Sequence, residues 1–520
     1  MATDPTKETT IRERVIFGTL ANSAGQFVTV AIGFFLTPFI LHQLGADDYG
    51  LWALISSVVA YTSLLDFGIW NALVKYIAEF RARGEFDQAR QLIATGMWLY
   101  MLLCLVAIAV STVIAFIFPR VFNLPPEQWS KAAWLVFLSG AAIGVSIPCS
   151  TPSAVLRGVQ RFDLVNLVNT TGTVLVAVAT IVVLEMGGGV FGMMIANIVL
   201  SIVMQVPSIY LVNRAAPEMK YGWRGANRRH VHKLASFSVS LFVQQVSNRL
   251  ETRTDEIVIG GFMPISAVTP YAIARRLSEM AGLLTEQFIK VFLPIASELD
   301  AENDRTRLKA LYITGTRLVL AIFLPIGAAL VLFSPAILTA WVGAEYAHYA
   351  PLVGILTLSS LLGMSQWPAN SVLQGIARHR PLAIMSSLSA VSKFALSILF
   401  VGTWGLTGVA FGTLIPAIVV NLGLILPYAM HIMGIRVGDL LRQILWPALL
   451  PAIPTAIFFY LFRQTFDVSS LIAVGFATGV GILVYWLGYL GLGASPFERD
   501  SLRYIATRTL AQAKLYLKFS

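Results

Sequence analysis

Cysteine and histidine are scarce in this sequence, which argues against a disulfide framework or a metal centre. Only two of the 520 residues are cysteine, and Cys104 and Cys149 both lie within apolar runs, where a thiol usually behaves as a small hydrophobic side chain. The six histidines lack the spacing of metal ligands, although His230 and His232 are close together. We therefore expect no disulfide, no bound metal and no cofactor.

Charged residues are also few, and this excludes a water-soluble protein. They make up 12% of the chain, against 57% hydrophobic residues, so there is too little polar surface to cover a soluble fold. The N-terminal segment MATDPTKETTIRER lacks the apolar stretch and cleavage site of a secretory signal, so we expect the first apolar run to be retained. Runs of about 20 apolar residues, enough to cross a bilayer as a helix, recur from Val15 to Tyr489. The composition therefore predicts an all-α polytopic membrane protein.

Apolar runs and turn residues together predict about fourteen transmembrane helices. The predicted spans are 15–41, 49–74, 92–118, 132–156, 164–184, 190–212, 234–260, 267–293, 310–333, 351–376, 381–402, 406–430, 444–462 and 470–490. Short loops rich in Lys and Arg stay in the cytoplasm, and with the N-terminus inside, 27 of the 37 basic residues fall on inner segments. We therefore predict that both termini are cytoplasmic. The net charge of +10 is mostly this orientation signal and gives no reason to expect a nucleic-acid partner.

An internal repeat is visible at an offset of about 217 residues. SAVLRGVQRF, from Ser153, matches NSVLQGIARH, from Asn370, and the same offset within two residues places Ile77 over Ala296. Beyond each match a span ends in a glycine-rich outer turn, MGGGVFG in one case and TWGLTGVAFG in the other. Six spans per repeat is an even number, so the two repeats are predicted to be parallel. Chance similarity between apolar segments is the alternative.

The repeat and the loops predict the organisation of the chain. In order, we predict a cytoplasmic tail at 1–14, an N-lobe at 15–212, a basic loop at 213–233, a C-lobe at 234–430, two further spans within 444–490 and a basic tail at 495–520. The tail places apolar residues on one helical face and basic residues on the others, so it is either an interfacial helix on the inner leaflet or a solvated tail.

Span 7 carries five charged residues at membrane depth. In the segment SNRLETRTDEIVIGGF, Arg249, Arg253 and Glu256 share one helix face, whereas Glu251 and Asp255 lie on the other side. An ionisable group at the bilayer centre costs at least about 2.5–3.5 kcal/mol, so such residues usually face a cavity or a partner. Two carboxylates spaced i, i+4 repel unless one is protonated or a cation lies nearby. This pair is therefore a candidate ion or proton site.

Span 8 and other spans add further polar residues at membrane depth. Arginine keeps its proton and binds phosphate oxygens bidentately, so a cavity lined by arginine suits an anionic head group. The predicted substrate-binding residues are Arg249, Arg253, Arg275, Arg276, Lys393, Asn22 and Gln26. The carboxylates predicted to bind a coupling ion or to act in gating are Asp66, Glu251, Asp255, Glu256, Glu279 and Glu286. The alternative is that these charges form static interhelix pairs, and that Lys75, Lys290 and Arg317 extend to the inner head groups.

Four segments resemble a known family. They are LGADDYGLWALISSVVAYTSLLDFGIWNALVKYIAEF, the basic RARGEFDQAR that follows it, AVLRGVQRFDLVN after span 4, and the end of span 8, VFLPIASELDAENDRTRL. These segments resemble the Wzx-type flippases of O-antigen and other polysaccharide repeat units, within the multidrug/oligosaccharidyl-lipid/polysaccharide (MOP) exporter superfamily. The resemblance implies two six-helix lobes around a central cavity, two further C-terminal helices, and a place in the bacterial inner membrane.

The same resemblance implies a function. Such proteins carry a polyprenyl-pyrophosphate-linked oligosaccharide to the outer leaflet by alternating access, driven by an ion gradient of H⁺ or Na⁺. Their cavity is cationic and is lined by spans 1, 2, 7 and 8, which implies head-group contacts for Asp66, Arg249, Arg253, Arg275 and Arg276. The expected partners are the lipid-linked oligosaccharide, membrane lipid, a polysaccharide polymerase and glycosyltransferases.

Three other functions remain open at this point. A lipid II flippase shares fourteen spans and a cationic cavity with the resembled family, whereas a MATE-type drug or cation antiporter typically has twelve spans and fewer intramembrane arginines. A membrane polysaccharide polymerase or ligase usually carries a large outer loop, and the longest outer stretch here, 334–350, is too short to hold a domain. The sequence also lacks a nucleophile motif and a cluster of metal ligands. We therefore expect a transporter rather than an enzyme.

Overall fold

The computed structural model shows a chain built of helices. It describes residues 5–219, 222–282, 285–286, 289, 291–466, 468–494 and 499, with side chains from residue 25 onward except 235–241 and 243–244. Within these described residues there is no strand, so the all-α prediction is confirmed. The basic tail predicted at 495–520 lies outside the described residues, apart from residue 499.

Contacts between residues divide the chain into two compact units, which comprise 1–272 with 390–409 and 273–389 with 410–520. The helices that begin in the first unit are α1 (Pro5–Val59), α2 (Ile69–Arg83), α3 (Phe86–Val121), α4 (Trp129–Cys149), α5 (Thr151–Gly158), α6 (Phe162–Glu185), α7 (Gly189–Val203), α8 (Gln205–Ala215), α9 (Arg228–Phe262) and α10 (Val268–Met280), with 3₁₀ turns at Ala60–Asp66, Pro126–Gln128, Pro217–Met219 and Ile265–Ala267.

The second unit is helical as well, and it includes the end of α10. The helices that begin in it are α11 (Phe292–Ala301), α12 (Arg305–Trp341), α13 (Ala350–Ser365), α14 (Trp367–Gly375), α15 (His379–Pro416), α16 (Leu426–Met433), α17 (Val437–Leu440), α18 (Trp446–Leu449), α19 (Ala452–Thr465) and α20 (Leu471–Gly488), with a 3₁₀ turn at Ala344–Tyr349 and π-helical turns at Ala417–Ile425, Leu441–Leu445 and Tyr489–Gly493. The stretch of α15 from 390 to 409 belongs to the first unit. The predicted division into lobes at 15–212 and 234–430 stays a prediction.

The predicted spans coincide with these helices. Among the described residues, ten helical stretches are long and apolar enough to cross a membrane. Gly25–Arg83 covers most of predicted spans 1 and 2, and His379–Met433 contains predicted spans 11 and 12. Within α1 and α15 the helix is interrupted at Gly45 (φ 76°) and Gly405 (φ 56°), a conformation that glycine adopts without strain. Of the remaining predicted spans, span 7 falls on α9 and the first half of span 8 falls on α10, and both helices carry more charge. The chain is therefore a multi-pass membrane protein.

Large apolar side chains cover the exposed faces of the spanning helices. On α3, Phe116 is 73% exposed, and Leu105 is 60% exposed. On α20, Ile472 and Leu487 are 86% and 72% exposed. A soluble monomer rarely exposes so much apolar surface, whereas a helix that faces lipid is expected to do so. An exposed polar residue at membrane depth therefore has to face something other than hydrocarbon.

The predicted internal repeat corresponds to a repeated local structure. In the first unit, α5 ends at Gly158, where an added Cβ would lie 2.6 Å from Cγ2 of Ile77 on α2. In the second unit, α14 ends at Gly375, where an added Cβ would lie 2.7 Å from Cβ of Ala296 on α11. The residues that follow these helix ends, Gln160 (φ 62°) and Ala377 (φ 58°), both adopt the left-handed conformation. Residues that are aligned with each other in the internal repeat therefore make equivalent contacts.

Candidate functional site

Helix α9 carries the charges of span 7, and both of its ends are set by local sequence. At its start the side chain of Asn227 accepts a hydrogen bond from the backbone N–H of Arg229 at 3.0 Å, which is the usual role of asparagine at a helix N-cap. At its end Met263 is extended, because the residue before a proline, here Pro264, is disfavoured in the α conformation. The charged segment therefore lies inside one continuous helix.

A buried ion pair connects α9 to α15 within the first unit. Nζ of Lys393 lies 2.9 Å from a carboxylate oxygen of Asp255, and the two side chains are only 6% and 2% exposed. The hydroxyl of Tyr271, on α10, donates to the same carboxylate at 2.8 Å. Lys393 also donates to the backbone carbonyl of Glu251. A nearby cation was one of the two possibilities that the sequence left open for the Glu251 and Asp255 pair, and Lys393 provides it.

The next turn of α9 is polar too and lies against the 3₁₀ turn Ala60–Asp66. The hydroxyl of Tyr61 donates to the backbone carbonyl of Arg249 at 3.3 Å and lies 3.2 Å from the hydroxyl oxygen of Thr254. Glu256 is fully buried, whereas the side chains of Arg249 and Arg253 are half-buried. The side chains of both arginines therefore remain partly exposed beside this polar turn.

Two of these residues, Tyr61 and Tyr271, were not assigned to the site from the sequence. Tyrosine is common at the ends of transmembrane segments. Nothing in the spacing of these two residues reveals that the hydroxyl of Tyr61 or Tyr271 contacts a polar group on another helix. The one usable signal is that Tyr271 lies one turn before Arg275 on the same helix. Tyr271 is 0% exposed, and a buried tyrosine usually needs a hydrogen-bond partner for its hydroxyl.

Asp66 occupies the break between the 3₁₀ turn and α2. Phe67 (φ 49°) and Gly68 (φ 78°) are both left-handed there. The carboxylate of Asp66 faces the backbone N–H groups of Gly68 and Trp70 and lies near the hydroxyl of Tyr100. The first N–H groups of a helix lack partners within the helix. This position favours a role in joining the two helical segments, and the predicted part of Asp66 in ion coupling stays a prediction.

Three charges of span 8, Arg275, Arg276 and Glu279, lie on α10. Arg275 forms an ion pair with Glu279, and their side chains are 16% and 51% exposed. Between 268 and 280 the only exposed residues are Arg276 and Glu279, so this helix exposes charge where α3 exposes apolar side chains. Glu286 is half-buried.

The exposed residues of α9 are polar too, as on α10. Between 245 and 261 they are Asn248 and Glu251, and every apolar side chain of that stretch is at least half-buried. A lipid-facing helix would expose its apolar residues and bury its polar ones. The polar side of α9 and the polar side of α10 are therefore each expected to contact water.

Three other predicted positions have different surroundings. Gln26 is half-buried on α1, beside Gly25, where an added Cβ would lie 2.6 Å from the hydroxyl oxygen of Thr170 on α6. Asn22 lies outside the residues whose side chains are described. Arg317, which was expected to extend to the head groups, is instead 7% exposed, and it donates to the carbonyl of Gln443 at 3.1 Å. Its α12 helix thereby gains a contact to the π-helical turn Leu441–Leu445.

The family of the chain follows from a comparison with known sequences. The profile of a family described as "Polysaccharide biosynthesis protein" matches residues 43–351, which is more than half of the 520 residues. The chain belongs to the polysaccharide biosynthesis protein family. The matched region runs from the end of α1 to the beginning of α13 and includes the whole charged segments of α9 and α10.

Individual relatives of this polysaccharide biosynthesis protein are distant in sequence. It is 21% identical over 454 residues to the "Probable low-salt glycan biosynthesis flippase Agl15" of Haloferax volcanii, which covers 86% of this chain and 89% of the relative. Among solved structures, the lipid II flippase MurJ in an inward closed conformation superposes with a TM-score of 0.70 at 16% identity, over 94% of this chain and 100% of MurJ.

A second solved structure has the same fold. An inward-facing multidrug resistance MATE family transporter of the MOP superfamily superposes with a TM-score of 0.70 at 16% identity, over 79% of this chain and 94% of that transporter. The polysaccharide biosynthesis protein therefore has the fold of MOP-superfamily transporters. The family profile confirms the family inferred from the sequence, and the solved structures confirm the fold that the resemblance implied.

Proposed function

We propose that this protein is a flippase that moves a polyprenyl-pyrophosphate-linked oligosaccharide from the inner to the outer leaflet of the cytoplasmic membrane. The observation that carries the proposal is that α9 and α10 expose only polar residues over 245–261 and 268–280, whereas helices such as α3 and α20 expose large apolar side chains. Polar faces at membrane depth are expected where a helix lines a water-accessible path. Family membership and the name of the relative Agl15 support the same function.

The chemistry of the substrate explains why such a path is needed. A sugar-pyrophosphate head group cannot cross hydrocarbon unaided, because its charges and hydroxyls would lose their hydrogen bonds to water. The guanidinium groups of Arg249 and Arg253 on α9, and of Arg275 and Arg276 on α10, would each offer phosphate oxygens a bidentate, permanently charged partner. The lipid tail would stay in the bilayer.

Coupling to H⁺ or Na⁺ is the remaining part of the proposal. Asp255 already has Lys393 as its counter-ion, so it is a poor candidate to bind a free cation. Glu251 lies one turn away, and its side chain is on the exposed side of α9. We therefore assign the coupling role first to Glu251, with cytoplasmic N- and C-termini as the basic residues indicate.

Reconstitution tests the function directly. Purified protein in liposomes that contain polyprenyl-pyrophosphate-linked oligosaccharide should render the glycan accessible to a lectin on the far side, and an imposed H⁺ or Na⁺ gradient should accelerate the process. Deletion of the gene should cause the same lipid-linked glycan to accumulate in the inner leaflet. Exclusive transport of lipid II, or no movement of either lipid, would contradict the proposed substrate.

Charge reversal at the arginines should abolish transport while leaving the protein in the membrane. We expect Arg249→Glu and Arg276→Glu each to lower the flipping rate at least about tenfold, because a carboxylate repels the phosphate that a guanidinium would bind. Arg380→Glu is the matched control, since Arg380 is exposed at the start of α15 and outside both polar faces. Rates equal to that of the control would remove these arginines from the transport path.

A further inference from the structure

A cleft in the first unit is formed by loops that connect predicted spans. It has a volume of about 450 Å³, within the size range of ligand pockets, and is lined by Asp47, 122–125, Gln128 and 260–266. These residues follow predicted spans 1, 3 and 7, which all end outside in the predicted topology. Their meeting in one cleft agrees with that topology. We refer to it as the loop-end cleft.

The walls of the loop-end cleft are held in place by the chain around it. The hydroxyl of Thr269 donates to the carbonyl of Ala46 at 2.6 Å and so ties the start of α10 to the bend in α1. The indole N–H of Trp129 donates to the carbonyl of Leu124 at 2.8 Å, and the preceding residue, Asn123, is left-handed (φ 47°). The loops therefore form an ordered concave surface.

The polar side chains in the cleft are available to a ligand. Among the described residues, the side chains of Asp47, Asn123, Gln128 and Ser266 have no hydrogen-bond or ion-pair partner. The neighbouring carboxylate of Asp48, by contrast, is paired with Lys131. The cleft thus presents one carboxylate, two primary amides and one hydroxyl, which together both donate and accept hydrogen bonds.

The residues that line the loop-end cleft favour a sugar over an anion, a metal ion or a lipid tail. It contains a carboxylate and no Lys, Arg or His, so an anion such as pyrophosphate would be repelled. A single metal ion would leave most of the volume empty, and a lipid tail would leave the polar groups without partners. A sugar ring fits the polar and the apolar parts of the lining, because its hydroxyls match the amides and the carboxylate, and its C–H face matches the exposed ring of Phe262.

We propose that the loop-end cleft is a saccharide-binding site that takes one or two uncharged sugar rings on the outer face of the protein. The proposal goes beyond the flippase function and rests on it only for the source of the sugar, which would be the glycan head group after it reaches the outer leaflet. A weak site of this kind would hold the glycan away from the transport path and so disfavour its return.

Gly261 provides a variant that fills the cleft. It lies near the end of α9 with an ordinary helical backbone, and an added Cβ would meet no heavy atom within 4 Å. Gly261→Trp should therefore occupy the cleft without disturbing the helix. Gly475→Trp is the matched control, because Gly475 lies within α20, is exposed and also has open space at its Cβ position.

The test is saturation-transfer difference NMR on the purified full-length protein, in a detergent without a sugar head group. The probes are free glucose, galactose, rhamnose and N-acetylglucosamine at millimolar concentration. We expect signal from at least one sugar with the wild type and with Gly475→Trp, loss of that signal with Gly261→Trp, and affinity about tenfold weaker with Asp47→Ala.

Two results would overturn the saccharide site: no signal from any of the four sugars with the wild type, or unchanged binding in both Gly261→Trp and Asp47→Ala. Should Gly261→Trp fail to fold, as judged by size-exclusion chromatography, Asp47→Ala alone decides the question. The liposome assay keeps the two proposals apart. A protein that flips lipid-linked glycan without binding free sugar refutes only the cleft, and one that binds sugar without flipping refutes only the transport function.

Discussion

Replacement of Lys393 by methionine is expected to lower the free energy of unfolding by about 3–5 kcal/mol, the range for removing one partner of a buried ion pair. Methionine keeps most of the volume of the lysine side chain but leaves the carboxylate of Asp255 without its cation. We expect this full loss because the side chains of Lys393 and Asp255 are only 6% and 2% exposed, so water cannot solvate the carboxylate that loses its partner. Unfolding in mixed micelles of SDS and a mild detergent measures the change.

Two companion variants separate the ion pair from its surroundings. Lys393→Met combined with Asp255→Asn removes both charges, and we expect most of the lost stability to return, because an uncharged pair has no buried charge to solvate. Tyr271→Phe removes the hydroxyl that donates to Asp255 and should cost about 1.5–3 kcal/mol. A cost for Lys393→Met no larger than that of an exposed lysine would show that the pair is solvated.

The double variant also tests whether the pair has a part in transport. If Lys393→Met/Asp255→Asn folds and still flips the lipid-linked glycan, the pair only connects α9 to α15. If the double variant folds but does not transport the glycan, the pair takes part in coupling transport to the ion gradient. Glu251→Gln is the comparison, since it changes the exposed carboxylate of α9 and leaves the buried pair intact.

Substitution of the two repeated glycines by alanine is expected to destabilise the protein, although alanine normally stabilises a helix. At Gly158 the new methyl would lie 2.6 Å from Cγ2 and 2.8 Å from Cβ of Ile77, and at Gly375 it would lie 2.7 Å from Cβ of Ala296 and 3.1 Å from the carbonyl of Leu293. These are not flexible side-chain ends, so the helices must separate. We expect a loss of about 1–3 kcal/mol for each, as for other overpacked sites.

Gly363→Ala is the matched control, because it lies within α13 and its Cβ position is open. There the substitution should raise stability by about 0.5–1 kcal/mol, the usual advantage of alanine over glycine in a helix. The decisive outcome is a gain in the free energy of unfolding for the control and a loss for each of the two repeated glycines. A gain at all three positions would contradict the close approach of the helices at Gly158 and Gly375.

Local patterns in the sequence were enough to predict the helices and the breaks between them. Gly45 and Gly405 lie between adjacent predicted spans, and both adopt the positive φ that ends one helix and begins the next. The repeat was also visible, since the aligned residues Gly158 and Gly375 make equivalent close contacts. Apolar length, glycine and basic loops are properties of short segments, so a single sequence reveals them.

Contacts between distant helices were not predictable in the same way. Periodicity indicates which residues share a face of α9, but it does not indicate that Lys393 is the residue opposite Asp255. Arg317 illustrates the same limit, because its position near a span end suggested a head-group contact, whereas it donates to a carbonyl on another helix. Electrostatics indicated that the two carboxylates need either a bound proton or a nearby cation, and only the fold identifies Lys393 as that cation.

The buried pair has a consequence for how the protein enters the membrane during synthesis. Lys393 is 142 residues from Glu251 along the chain, and at about 5–20 residues per second the ribosome needs on the order of ten seconds to make that stretch. Until then α9 lacks the counter-ion of Asp255, and each unpaired charge at the bilayer centre costs at least about 2.5–3.5 kcal/mol on the insertion scale. Stable insertion of α9 should therefore be completed only after α15 has left the ribosome, and nascent chains truncated before residue 393 should leave this helix accessible to water-soluble labels.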